Sequence, residues 1–273
     1  MYVKLERRLA AQEVSYSMIE KWQTAIPPLT GDEERTVTVY VPDIAESDPE
    51  ARFPVLYMFD GHNVFFDEDA TYGKCWGMKE YMEETEAPMI VVGVECNHHP
   101  DHGRLKEYSP YNFREKSIGT IIGKGKTMMD WMVQDFKPLI DEMYPTLPGR
   151  ETTFIAGSSM GGLMSLYAVT AYNDTFSRAA CLSPSLWTSP KRVKQFIAKA
   201  DIAPGTVIYM DYGSCEMARR DSMLKAWTHT CSQLLEKGVW LTGRIVPGGE
   251  HCEASWEEQI PFFVNTLLYT RQN

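Results

Sequence analysis

The stretch Thr152-Thr-Phe-Ile-Ala-Gly157-Ser-Ser159-Met-Gly161-Gly-Leu-Met-Ser-Leu-Tyr-Ala-Val-Thr-Ala-Tyr172 runs an apolar β segment straight into a helical pattern through Gly157-x-Ser159-x-Gly161. Strand, tight turn and helix in that order are the setting of a nucleophile elbow, in which a strained turn lifts one hydroxyl clear of a sheet edge. Ser159 is therefore the candidate nucleophile. Gly157 and Gly161 flank it because the reversal crowds those positions and glycine meets unusual dihedrals without steric cost. The same turn sets the Met160 backbone N–H at a helix N-terminus, where it faces any oxyanion formed beside Ser159.

Working outward, residues 35–42 alternate like a strand with one buried face, and 14–24 are a candidate partner. Apolar runs at 53–59, 89–95, 152–156, 177–182, 206–212 and 239–246 show little alternation, as expected of strands covered on both faces. Helical patterns fall at 74–86, 127–143, 160–172, 190–200, 218–237 and 253–269. The expectation is an α/β fold with a mainly parallel central sheet, antiparallel N-terminal strands and helices on both faces, its functional loops gathered at the carboxyl ends of the strands. With no linker, repeat or low-complexity run in 273 residues, 44% of them apolar, one domain over 1–273 is expected.

A serine hydroxyl needs a base, and His251 is best placed, in Pro247-Gly248-Gly249-Glu250-His251 between a strand and the last helix. His229 lies inside a helical pattern, and His62, His98, His99 and His102 precede Ser159, against the chain order of nucleophile, acid, base. The carboxylate that orients the imidazole belongs after the strand at 206–212, where Asp211 and Glu216 compete. Glu216 is preferred because it lies past the turn and reaches toward the histidine loop, with Asp211 supporting that loop by accepting backbone N–H groups. A second oxyanion donor is expected after the strand at 53–59, in Asp60-Gly61-His62-Asn63, with Gly61 allowing close approach and the His62 N–H as donor.

Asp60-Gly61, Gly157-x-Ser159-x-Gly161-Gly162, Gly213-Ser214-x-Glu216 and Gly248-Gly249-x-His251-x4-Trp256, in this order, resemble the putative esterase family of α/β-hydrolases. That family includes esterase D, enterochelin esterases, carbohydrate feruloyl and acetyl esterases and mycolyltransferases. The stretch from Gly123-x-Gly125 to Pro138, with Trp131 and Phe136, resembles the family's helix before the nucleophile strand, and the likeness covers about residues 35–270. It implies Ser159 as nucleophile, His251 as base, the acid near Glu216 and oxyanion donors near His62 and Met160. A glutamate as acid matches the mycolyltransferase branch, whereas Asp60-Gly61-His62 departs from the segment of the S-formylglutathione branch.

The implied activity is that of a serine carboxylesterase acting through an acyl-enzyme on a small-molecule ester, without a cofactor. Acyl transfer to an alcohol would use the same residues, and a binding protein on a hydrolase scaffold is the reading from a different class. Arg104, in the loop after the strand at 89–95, is a candidate contact for an acidic substrate group or a brace paired with Glu107; Trp256, Trp187 and Tyr108 are candidate pocket walls. His98, His99 and His102 lack the spacing of a helical zinc motif, so no metal is expected. Six scattered cysteines argue against a disulfide framework, and a net charge of −10 without a basic stripe argues against nucleic acid. No run approaches the roughly 20 apolar residues that span a bilayer, so no membrane partner and a cytoplasmic location are expected. An oligomer is possible, and nothing in the sequence fixes one.

Overall fold

The computed structural model describes residues 18–216 and 220–269. Its strands are β1 (Met18–Ala25), β2 (Glu34–Val41), β3 (Val55–Phe59), β4 (Ile90–Val94), β5 (Phe113–Glu115), β6 (Gly119–Ile121), β7 (Thr153–Ser158), β8 (Arg178–Leu182), β9 (Val207–Gly213) and β10 (Trp240–Val246). Eight of them form one sheet in the order β1-β2-β4-β3-β7-β8-β9-β10, while β5 and β6 make a separate hairpin. The β1–β2 and β2–β4 pairs are antiparallel and the rest of the sheet is parallel. This is the expected α/β-hydrolase architecture. The part of the proposed first strand at 14–17 and the start of the proposed helix at 218–219 lie outside the described residues.

Both faces of the sheet are covered over β3, β4, β7, β8 and β9, which explains why those strand runs do not alternate, whereas the edge strand β10 is partly exposed. Val55, Tyr57 and Phe59 of β3 point into one apolar core, and Leu56 and Met58 into the other. The helix Met160–Ala171 is buried along most of its length, against β7 and β8.

Helix boundaries differ from the sequence expectation where local chemistry intervenes. The pattern at 253–269 divides into Glu253–Glu257 and Ile260–Leu268, the second helix beginning with Pro261 in its first turn, where the missing N–H costs nothing. The pattern at 74–86 becomes helical only from Met78, after Gly77 turns with φ of 69°. The helix before β7 runs from Gly125 to Met143 through a π turn at Met132–Phe136. Its wider winding sets Trp131 and Phe136, five residues apart, face to face with ring centroids at 4.8 Å.

The sheet reverses its direction of growth at β3 and β7: β4 adds on one side of β3, whereas β8, β9 and β10 add successively beyond β7. A crevice opens where connections diverge in this way, at the carboxyl ends of the strands. Asp60-Gly61-His62 leaves β3 there and Ser159 leaves β7. Gly61 lies so close to β4 that a Cβ on it would sit 2.4 Å from the Gly93 carbonyl carbon. Because both sides of that contact are backbone, neither can yield cheaply. Gly61→Ala is expected to lower stability by about 1–3 kcal/mol, read as a reduced urea midpoint; an unchanged midpoint would show that the loop has room to spare.

Candidate active site

Ser159 follows β7 with φ of 56° and ψ of −116°, a conformation that L-residues hold only when their surroundings enforce it. The enforcement is visible in the backbone. Ser159 N–H donates to Leu182 O at 2.9 Å, while Ser159 O accepts from Ser185 N–H at 2.9 Å and Leu163 N–H at 3.1 Å. A Cβ at Gly157 would lie 2.8 Å from the Gly161 carbonyl carbon, and one at Gly162 2.7 Å from Leu182 O. The Ser159 hydroxyl rests 3.3 Å from Ser185 Oγ and forms no hydrogen bond with His251 in this arrangement. Ser159 and His251 nevertheless line the same cavity, of about 620 Å³.

The acid and the imidazole meet because their loops interlock. Gly213, ending β9, and Gly249, after β10, approach so closely that a Cβ on Gly213 would lie 2.3 Å from Gly249 O. Cys215 N–H donates to Gly249 O at 2.9 Å, Ser214 N–H to Val246 O at 2.9 Å, and Gly248 N–H to Ser214 Oγ at 2.8 Å. Held this way, Glu216 Oε2 lies 3.0 Å from His251 Nδ1, and the Glu216 side chain is only 1% exposed. Its other oxygen accepts from Gly213 N–H at 2.7 Å and from the Ser183 hydroxyl. Ser183 Oγ in turn accepts from Trp256 Nε1–H at 3.1 Å, and the Trp256 ring meets His251 edge-on at 5.1 Å.

At the end of β3, Asp60 takes a left-handed turn with φ of 57°. Arg104 donates to both of its carboxylate oxygens, at 2.6 and 2.7 Å, and Tyr108 Oη accepts the Asp60 N–H at 3.1 Å. Burial alone would raise the Asp60 carboxyl, but the Arg104 guanidinium outweighs it and holds the group below its ordinary range. Burial also lowers His62 from its usual value, even with Asp60 nearby. The N–H groups of Met160 and His62 have no hydrogen-bond acceptor among the described residues.

Of the proposed substrate contacts, Arg104 and Trp256 line the cavity and two others do not. Tyr108 is wholly buried, edge-on to Phe59 at 4.9 Å, because its hydroxyl is needed beneath the Asp60 turn. Trp187 lies outside the cavity, exposed, its ring against Phe113. The suggested Arg104–Glu107 brace is also corrected. Arg104 serves Asp60, while buried Glu107 forms a two-pronged pair with Arg35 of β2, both contacts at 3.1 Å. Sequence reasoning missed Ser183 and Ser185. Their signal was their place: Leu182-Ser183-Pro184-Ser185 leaves the strand beside the elbow, at the carboxyl edge where site residues gather.

A family model described as "Putative esterase" matches residues 30–264. Among curated proteins, the chain is 26% identical over 211 residues to the uncharacterized protein YbbA of Bacillus subtilis (strain 168), covering 75% of this chain and 79% of that one. It is 23% identical over 253 residues to ferri-bacillibactin esterase BesA of the same organism, covering 87% and 85%. Among solved structures, the BES protein from Bacillus cereus superposes with a TM-score of 0.70 at 19% identity, over 97% of this chain and all of the other, and shares the fold. No helix among the described residues is long and apolar enough to cross a membrane.

Asp211, the rival acid, lies beneath the site rather than in it. Its oxygens accept the Ser183 N–H at 3.0 Å and the Tyr209 hydroxyl at 2.8 Å. Burial, only partly offset by these donors, pushes its carboxyl up to about 7 from 3.8. The folded chain therefore holds this proton more tightly than the unfolded one. That stabilisation is complete below about pH 4 and is lost as pH rises through about 7. Wild type is thus expected to lose stability relative to Asp211→Asn across this window, seen as a melting-temperature difference that changes with pH. A difference constant from pH 4 to 8 would rule out this account.

Proposed function

The chain belongs to the putative esterase family, and from that premise we propose that it is a serine carboxylesterase working through an acyl-enzyme, with Ser159 as nucleophile, His251 as general base and Glu216 as the orienting acid. The observation that carries this reading is the 3.0 Å contact between His251 Nδ1 and a shielded carboxylate, in a cavity that also contains Ser159. With Nδ1–H donated to Glu216, the imidazole presents its Nε2 lone pair to a proton donor.

Rotation of the Ser159 side chain releases Ser185 and delivers the hydroxyl to that nitrogen. The oxygen attacks the ester carbonyl as His251 takes its proton, and the resulting oxyanion lies against the free N–H groups of Met160 and His62. Collapse of the tetrahedral species expels the alcohol, protonated by His251. Water, activated by the same imidazole, then releases the acid. Glu216 stabilises the transient imidazolium, and its Gly213 and Ser183 donors keep it aimed at Nδ1. The two-pronged Asp60–Arg104 pair fixes the backbone turn before His62, so the oxyanion donor is set before substrate arrives.

A fluorophosphonate probe is expected to label wild type and to leave Ser159→Ala unlabelled. On p-nitrophenyl esters of graded chain length, Ser159→Ala and His251→Ala should each lower turnover by roughly 10⁶-fold. Glu216→Gln should cost roughly 10⁴-fold, and more than Asp211→Asn. Labelling that persists without Ser159, or greater damage from Asp211→Asn than from Glu216→Gln, would overturn the assignment. Feruloyl, acetyl-sugar and siderophore esters complete the substrate panel.

A further inference from the structure

We propose that His62, Cys96 and His98 form a binding site for a zinc-class divalent cation on the wall of the cavity that Ser159 also lines. Parallel pairing of β3 with β4 puts their carboxyl-terminal loops side by side. His62 comes from the first loop, and Cys96 and His98 from the second. One ligand atom from each residue lies within 4.8 Å of the others, and the two imidazole rings meet edge-on at 4.7 Å. The close approach of Gly61 and Gly93 fixes the two loops at this separation.

The rings are prepared as ligands. Each has one nitrogen anchored at 3.0 Å: His62 Nε2 on Thr71 Oγ1, and His98 Nε2 on a Glu95 carboxylate oxygen. Metal-binding imidazoles are held this way, with the outer nitrogen tied to a hydroxyl or carboxylate and the inner lone pair free. The remaining nitrogen of His62, Nδ1, is buried without any hydrogen-bond partner. An orphaned buried polar atom is costly, and a cation would satisfy it. His99 and His102, the other histidines of this loop, are absent from the cluster.

Two imidazoles and a thiolate suit zinc or cobalt and disfavour the oxygen-seeking magnesium and calcium ions. Three protein ligands leave a fourth position, available to water or to a substrate oxygen. Binding exchanges one Cys96 thiol proton, released to solvent, for the metal–sulfur bond. The site takes no side chain from Ser159, His251 or Glu216 and uses the His62 imidazole rather than its backbone N–H, so either reading can fail alone.

The test is a titration of the reduced, full-length protein with Co²⁺. A saturable thiolate-to-cobalt charge-transfer band in the near ultraviolet is expected, with one ion per chain, removed by competing Zn²⁺. Cys96→Ser should abolish the band, and His98→Ala should weaken Co²⁺ binding by about 10-fold or more. Cys215→Ser and Cys252→Ser should leave the band in place. A far-ultraviolet circular dichroism spectrum and a cooperative melting transition like those of wild type show that Cys96→Ser is folded. No saturable band in wild type, a band that survives Cys96→Ser, or one lost in either control variant would overturn the site.

Discussion

A carboxylate withdrawn from water survives only where donors replace its hydration, and the geometry of this site depends on how Glu216 meets that demand. Its donors come from three places: Gly213 at the end of its own strand, Ser183 from the neighbouring strand end, and His251 from the loop after β10. Each contact constrains a different loop. The carboxylate thus draws the ends of β8, β9 and β10 into one fixed arrangement. The glycine-to-glycine approach of 213 and 249 permits this, because side chains there would force the loops apart.

Backbone strain clusters in the same region. Five non-glycine residues among those described have positive φ, and three of them, Asp60, Ser159 and Ser183, directly follow β3, β7 and β8. A fourth, His102, lines the same cavity. Such conformations cost about 1–3 kcal/mol each and persist where surrounding contacts over-determine them. Here those contacts are identifiable: Arg104 and Tyr108 around Asp60, Leu182 and Ser185 around Ser159, Asp211 under Ser183. The sheet supplies the rigidity against which these turns are held.

Seven strands, β2 to β4 and β7 to β10, were legible in the sequence to within about two residues, from alternation at β2 and apolar runs elsewhere, whereas the three-residue strands β5 and β6 carry no such run and have no counterpart in the sequence expectation. The elbow was legible because its crowding demands glycine at fixed offsets. Helix ends were less so: the π turn at Met132–Phe136 has no local sequence mark, and the break before Ile260 depends on where Pro261 can enter a helix. Side-chain partnerships were the least accessible. Arg104 and Glu107 are three residues apart on the short helix Gly103–Glu107 and suggest a mutual pair, yet each turns to a residue far away in the chain, Arg104 to Asp60 just after β3 and Glu107 to Arg35 of β2. Tyr108 is a candidate pocket wall by its place in the loop after β4, although aromatics near strand ends are more often core, and core is where its contact with the Asp60 N–H holds it. The meeting of His62 with Cys96 and His98 depends on which strands are neighbours, a property no local spacing encodes.

Trp256 both bounds the cavity and donates to Ser183, which holds Glu216. Enlarging the cavity by trimming this indole would remove the donor at the head of that chain, so the shape of this wall and the seating of Glu216 are coupled. His99 and Pro100 line the same cavity from an exposed loop and stand outside the hydrogen bonds that Ser183 and Glu216 form among the described residues. A change in the shape of the cavity at Trp256 thus reaches a buried carboxylate that the cavity itself does not expose.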